Sequence, residues 1–180
     1  QVDFLDRQMA ALDARIGECS RPFDGALALL DTIPGIDRRL AEVVLAEIGP
    51  DMAVYPSAGD LASWTGLCPG HNETGGKQRA GTTRKANKWV RRALTEAAWA
   101  ASHTKRTYLA SLYHRLAGRR GKKRAIVAVA HSIVVAIYHM LTTGEQYRDL
   151  GADYFDRLAP RQLTRYLVKR LFIAIPSLLA

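Results

Sequence analysis

Acidic residues are almost missing from the middle of this 180-residue chain. From Thr74 to Gly144 there are fifteen Lys/Arg against one acid, Glu96, a local balance of +14. The remaining residues carry eleven Lys/Arg and sixteen acids, or −5. A basic block between acidic arms points to a polyanionic partner held by the middle of the chain. Cysteine is nearly absent too. Cys19 and Cys68 build no disulfide framework and fit a reducing compartment. The five histidines are scattered, without metal-type pairing to one another or to the cysteines. Long apolar runs are lacking: the longest, Ala125 to Leu141, is broken by His131, Ser132 and His139. It falls short of the roughly 18–20 residues of a membrane helix. The polar, amphipathic N-terminus is not a signal peptide, so a soluble cytoplasmic protein without membrane contact is expected. Sustained period-two alternation is absent, which predicts a mainly helical domain. The chain starts at Gln1 in place of Met, which suggests a piece of something longer.

What is present is ordinary in amount. An apolar fraction of 48% and a charged fraction of 24% suit a packed domain. The length permits one domain with a core, or one domain with a helical appendage.

The chain is organised around residues 66–92. Gly66, Pro69, Gly70, Asn72, Gly75, Gly76 and Gly81 punctuate the first half too often for a helix or strand interior, so it reads as a loop. Between Lys77 and Arg92 lie seven basic residues and no acid. The second half, with Arg84, Lys85, Lys88, Trp89, Arg91 and Arg92, reads as the start of a helix. A glycine-rich loop offers backbone N–H groups to an anion, and a helix N-terminus adds its dipole. Basic side chains then hold a phosphate backbone. The Walker spacing is absent, so phosphodiester recognition fits better than nucleotide binding. Charge alone fits a solvated basic loop as well.

Upstream, Leu5, Met9, Leu12 and Ile16 step by four, three and four, a heptad seam over residues 3–18. Either a single amphipathic helix or the end of a coiled coil satisfies two heptads. Arg21-Pro22 breaks it. Residues 23–31, the turn Ile33-Pro34-Gly35-Ile36-Asp37 and residues 38–48 resemble a helix-hairpin-helix module, in which backbone amides of the hairpin meet a DNA phosphate. Gly35 would supply a backbone conformation that bulkier residues resist. An ordinary helical hairpin fits equally, because Asp37 and Glu47 weaken anion binding. Leu40, Val43, Val44 and Ile48 are spaced for burial. Ser57 with Asp60 marks a capped short helix to Thr65.

From Arg84, residues Trp89, Val90, Ala93, Leu94, Ala97, Ala98 and Ala101 fall at helical spacing, and Trp89 and Trp99 read as core. Residues 105–124 hold eight basic residues and no acid, with Leu109, Leu112, Tyr113 and Leu116 forming an apolar stripe. Ala125 to Leu141 reads as the central buried helix, with His131 and His139 as core histidines. Residues 145–158 should cover it, and 161–171 form a last basic amphipathic helix.

Several ordered blocks resemble a known family. They are Leu30-Asp-Thr-Ile-Pro-Gly-Ile-Asp37, Ala62-Ser-Trp-Thr-Gly-Leu-Cys-Pro69, Asn72-Glu-Thr-Gly-Gly-Lys77 and Thr83-Arg-Lys-Ala-Asn-Lys-Trp-Val-Arg-Arg92. Arg119 to Arg124 with Ala130-His131, and Tyr147 to Phe155, extend the likeness. Together they look like the C-terminal domain of insertion-sequence transposases of the 110/116/902 group, over roughly residues 25–158. The resemblance implies a DNA recombinase whose partners are DNA and a guide RNA encoded by the element. It also implies an upstream RuvC-like domain with four metal-binding acids, where magnesium is expected. That domain has no counterpart here, so this chain binds no cofactor itself and is incomplete as an enzyme. The seam at Leu5 to Ile16 would end the coiled coil that joins the two domains and supports a homo-oligomer. Residues 1–20 are thus the linker helix, 21–158 the transposase domain and 159–180 a C-terminal helix and tail.

The family's nucleophilic serine stands just before its Gly-Gly/Ala-Gly-Lys step, which aligns it with Thr74. Threonine also carries a hydroxyl, but its methyl crowds an in-line approach and stiffens χ1. Thr74 is then a working nucleophile, or the copy has decayed, or the alignment is off by one residue. Glu73 has no hydroxyl and Thr82 and Thr83 lie outside the turn, so Thr74 is the candidate. Lys77, Arg79 and the amides near Gly75 and Gly76 would stabilise charge on the phosphate, and Arg84, Lys85, Lys88, Arg91 and Arg92 would position the backbone. The reading that competes is a non-catalytic nucleic-acid-binding fragment.

Overall fold

A computed structural model describes residues 1–68, 73–74, 76–78, 83 and 85–158. The expected last helix over 161–171 and the apolar tail lie outside these residues. The architecture is mainly α-helical, and Ala125 to Leu141 is indeed its axis. Helix α7, Lys122–Thr143, buries Ile126, Val129, Ile133, Val134, Ile137 and Met140 along one face. It packs against α2 (Asp24–Asp31), α4 (Ala58–Trp64), α5 (Lys88–His103) and α6 (Tyr108–Arg120). As formed, α7 has 22 residues and is long and apolar enough to span a membrane. The sequence estimate that it falls short omitted the turns at either end. Its apolarity is that of a helix surrounded by others, and it stops at Gly144, which takes the left-handed conformation at φ +74°.

Helix ends follow local chemistry. Asp37 caps α3 (Arg38–Ile48), its carboxylate accepting from the Leu40 amide at 2.8 Å. Ser57 caps α4 and donates to Asp60 at 2.7 Å, the expected box. Thr107 caps α6. Helix α3 buries Ala41, Val44, Leu45 and Ile48, whereas Val43 is exposed, one position off the buried stripe.

The turn between α2 and α3 sits on α5. Gly35 has φ +90°, and a β-carbon there would lie 2.4 Å from the Ala97 carbonyl oxygen. The alanines of α5, Ala93, Ala97, Ala98 and Ala101, are what permit so close an approach. After α7 the chain returns across the bundle. The Tyr147 amide donates to Thr32, Ser111 donates to the Ala152 carbonyl, and α8 (Tyr154–Leu158) brings Tyr154 and Phe155 against Tyr108. Residues 145–158 therefore form the expected cover.

Two expectations about rings fail. Trp89 is 56% exposed and Trp99 is 53% exposed, so neither is core. Their spacing matches the apolar stripe only loosely, and Val90 and Leu94 occupy it instead. His139 is likewise exposed and His131 only half-buried, because both face the 145–150 segment across a cavity of about 470 Å3. Helix α1 (Val2–Ser20) buries nothing and leaves Leu5, Met9 and Leu12 each about 60% exposed.

Candidate nucleic-acid interface

The glycine-rich stretch folds into a small β-hairpin. Strands β1 (Glu73–Thr74) and β2 (Lys77–Gln78) pair antiparallel, with Glu73 opposite Gln78 and Thr74 opposite Lys77. Only two residues, Gly75 and Gly76, separate the strands, and Gly76 turns at φ +72°. A two-residue connection of this kind favours glycine because its central residues take positive φ. The hairpin register thus sets Thr74 and Lys77 side by side, with Cα atoms about 5 Å apart.

Helix α5 begins at Lys88, four residues later than expected, because Asn87 caps it. The Asn87 side chain accepts from the Trp89 amide at 2.9 Å and donates to Glu47 at the end of α3. That bond ties the start of α5 to the helical hairpin upstream. Arg91 donates to the Thr83 hydroxyl at 2.8 Å, fastening the segment that leaves the hairpin to the first turn of α5. Lys88 lies over the Trp89 ring, 5.0 Å from its centroid. Arg92 pairs with Glu96 at 2.9 Å, and that carboxylate pushes its pKa further up.

Lys85, Lys88 and Arg92 are exposed, and Arg91 is half-buried. No acid stands in the first turn of α5. Cations at the positive end of a helix dipole cost a few tenths of a kcal/mol each, so helix stability does not account for Lys88, Arg91 and Arg92. With the helix dipole they make a positive end suited to an anion. Gly75, Arg79 and Arg84 lie outside the described residues. Gly35 stands apart from this group: its glycine requirement is met by packing on α5.

Sequence reasoning passed over Asn87 as a cap and read Glu47 only as a charge that weakens anion binding. An Asn directly before the first periodic residue of a helix is an N-cap signal and could have been read. Glu47, forty positions away, leaves no local trace.

A helical, basic domain with a tight hairpin ahead of a cationic helix N-terminus is what the geometry defines. Residues 27–114 match the transposase IS116/IS110/IS902 family, which bears out the resemblance seen in the sequence blocks. The chain is similar to y4pF/y4sB of Sinorhizobium fredii (strain NBRC 101917 / NGR234), which carries a transposase name. They are 30% identical over 153 residues, 82% of this chain and 37% of that protein. It is also similar to the transposase for insertion sequence element IS1111A of Coxiella burnetii (strain RSA 493 / Nine Mile phase I). There the identity is 32% over 123 residues, 66% of this chain and 34% of that protein. The chain spans about a third of the length of these relatives.

Proposed function

We propose that this chain is the DNA-binding, strand-joining part of an insertion-sequence transposase, with Thr74 as its nucleophile and an element-encoded RNA as guide. The observation that carries the reading is the hairpin register, which sets Thr74 opposite Lys77 ahead of the basic first turn of α5. In the proposed step the Thr74 hydroxyl attacks a DNA phosphorus. A phosphorus–Oγ bond forms, a phosphorus–deoxyribose oxygen bond breaks, and the leaving oxygen takes up a proton as Oγ loses one. Attack on the phosphothreonine by another strand's hydroxyl then rejoins DNA and restores Thr74. Lys77 and Arg79 offset charge that develops on the phosphate, while Lys85, Lys88, Arg91 and Arg92 hold the flanking backbone. Among the described residues no group of three His, Cys, Asp or Glu is placed to hold a metal. The magnesium that the family resemblance implies would sit in an upstream four-acid domain. The exposed seam on α1 is the surface through which copies would associate, and a bacterial cytoplasmic location accompanies the reading.

The test restores an upstream four-acid domain from a relative, supplies the element's RNA and magnesium, and looks for a covalent protein–DNA band on a denaturing gel. A band lost in Thr74→Ala supports the nucleophile. Threonine in place of the family's serine favours a second reading, a binding scaffold whose catalytic site has decayed. No band from the native chain, with one appearing in Thr74→Ser, selects that reading.

A further inference from the structure

The cations of this chain divide by whether they have a carboxylate partner. Arg38 meets Asp24 at 2.6 Å, Arg92 meets Glu96 and Arg157 meets Asp153 at 3.1 Å. The eight basic residues between positions 105 and 124 form no ion pair among the described residues. An unpaired block of this size leaves its whole positive field to solvent or to a partner.

Part of that block surrounds a cavity. At the corner between α5 and α6 an open hollow of about 700 Å3 is lined by Lys105, Arg106, His114, Arg115, Phe155 and a single carboxylate, Asp156. Arg115 lies over the Phe155 ring at 5.0 Å. Arg106 is held at φ +64°, a conformation that non-glycine residues rarely adopt and that tends to mark functional turns. Beside the hollow, the rings of Trp99 and His103 lie 4.8 Å apart, and Trp99 is largely open to solvent. From Arg115 the basic stripe continues one turn on to Arg119 and the turn after α6.

We propose that this corner binds a single strand of nucleic acid, the cations tracking its phosphates while an unpaired base enters the hollow or stacks on Trp99. Exposed rings beside a basic track are the features that hold single strands without sequence preference. A duplex keeps its bases paired and presents no face to the hollow. A lone nucleotide would leave the stripe toward Arg119 unused. The site is separate from the hairpin interface, because the 16 residues of α5 put its two ends about 22 Å apart. It deepens the nucleic-acid reading above by giving strand and duplex different ends of one helix.

Fluorescence anisotropy on the full chain, with labelled oligothymidylate, oligouridylate and a short duplex over a range of KCl, tests this. Lys105→Ala/Arg106→Ala/Arg115→Ala should weaken single-strand binding at least tenfold and leave duplex binding within twofold. The log–log salt slope should flatten by about two, at ~0.7 per phosphate contact. The loss appearing with either oligonucleotide, or both, supports the site and identifies the strand that fills it. Unchanged single-strand affinity, or equal loss for strand and duplex, overturns it. A second measurement is independent of how the variant folds. Oligonucleotides carrying 5-iodouracil are photo-crosslinked to the native chain and the adducts mapped. Adducts at Trp99, His103 or Phe155 support the proposal, and adducts confined to other parts of the chain overturn it. If Lys85→Ala/Lys88→Ala lowers duplex affinity while the strand results fail, this inference falls alone. If the native chain binds no nucleic acid at low salt, the function proposed above falls with it.

Discussion

Gly35 and Ala97 are locked together: a β-carbon at residue 35 would stand 2.4 Å from the carbonyl oxygen of Ala97 and 2.6 Å from the Ala101 amide nitrogen. Both neighbours are backbone, so neither can rotate away. The glycine also has φ +90°, which an L side chain resists. Gly35→Ala should therefore cost about 2–4 kcal/mol through overpacking and backbone strain combined. Urea unfolding would show a lower midpoint with an unchanged slope. A midpoint equal to that of the native chain would mean that the turn is not seated on α5.

That pair shows what was and was not legible in the sequence. The Pro-Gly turn, the need for glycine and the helices on either side could all be read locally. The surface it rests on could not, because Ala97 is sixty-two positions away and nothing near Gly35 encodes it. The same division runs through the interface. Glycines and cations announced the loop, and Gly75-Gly76 between polar residues matches the hairpin that formed. Period counting placed Trp89 and Trp99 on the apolar face, yet α5 fills that face with alanines and leaves both indoles outside. Small side chains permit close helix approach, and periodicity does not weigh volume. Charge counting likewise could not tell Arg92, which Glu96 partly neutralises, from the cations of α6, which form no ion pair among the described residues.

Asn87 performs two tasks, capping α5 and bonding Glu47. Loss of an N-cap costs about 0.5–2 kcal/mol, and removing Asn87 also strands one end of the link to α3. Asn87→Ala should lower stability by about 1–2 kcal/mol. Asn87→Asp, which keeps the cap acceptor but faces the Glu47 carboxylate, should recover little of it. A double-mutant cycle with Glu47→Ala would report coupling near zero if the two helices are not joined there.

The seam on α1 gives a prediction about assembly. Leu5, Met9 and Leu12 are exposed and pack on no core residue among the described residues, and a heptad stripe left in water is stabilised by a second copy. Sedimentation of the native chain should show concentration-dependent association. Met9→Asp with Leu12→Asp should return it to monomer, with an unfolding midpoint that no longer depends on protein concentration. A monomeric native chain at high concentration would remove α1 as an association surface.

His131 sets a pH dependence. It lies half-buried on α7, and burial lowers its pKa below the usual value of 6.5. The groups around its cavity are Tyr108, His139, Glu145, Tyr147 and Arg148. No carboxylate is hydrogen-bonded to its ring among the described residues, and desolvation is the one cause of its shift. The unfolded chain, with the higher pKa, takes up a proton first as pH falls. Stability from His131 is thus fully present above about pH 6.5, and is lost between there and the lower folded pKa. Unfolding midpoints in urea should fall from pH 7 to pH 5, and His131→Gln should flatten that part of the decline. An equal slope in the variant would assign the decline to other groups, and a His131 ring titrating by NMR at or above 6.5 would contradict its burial.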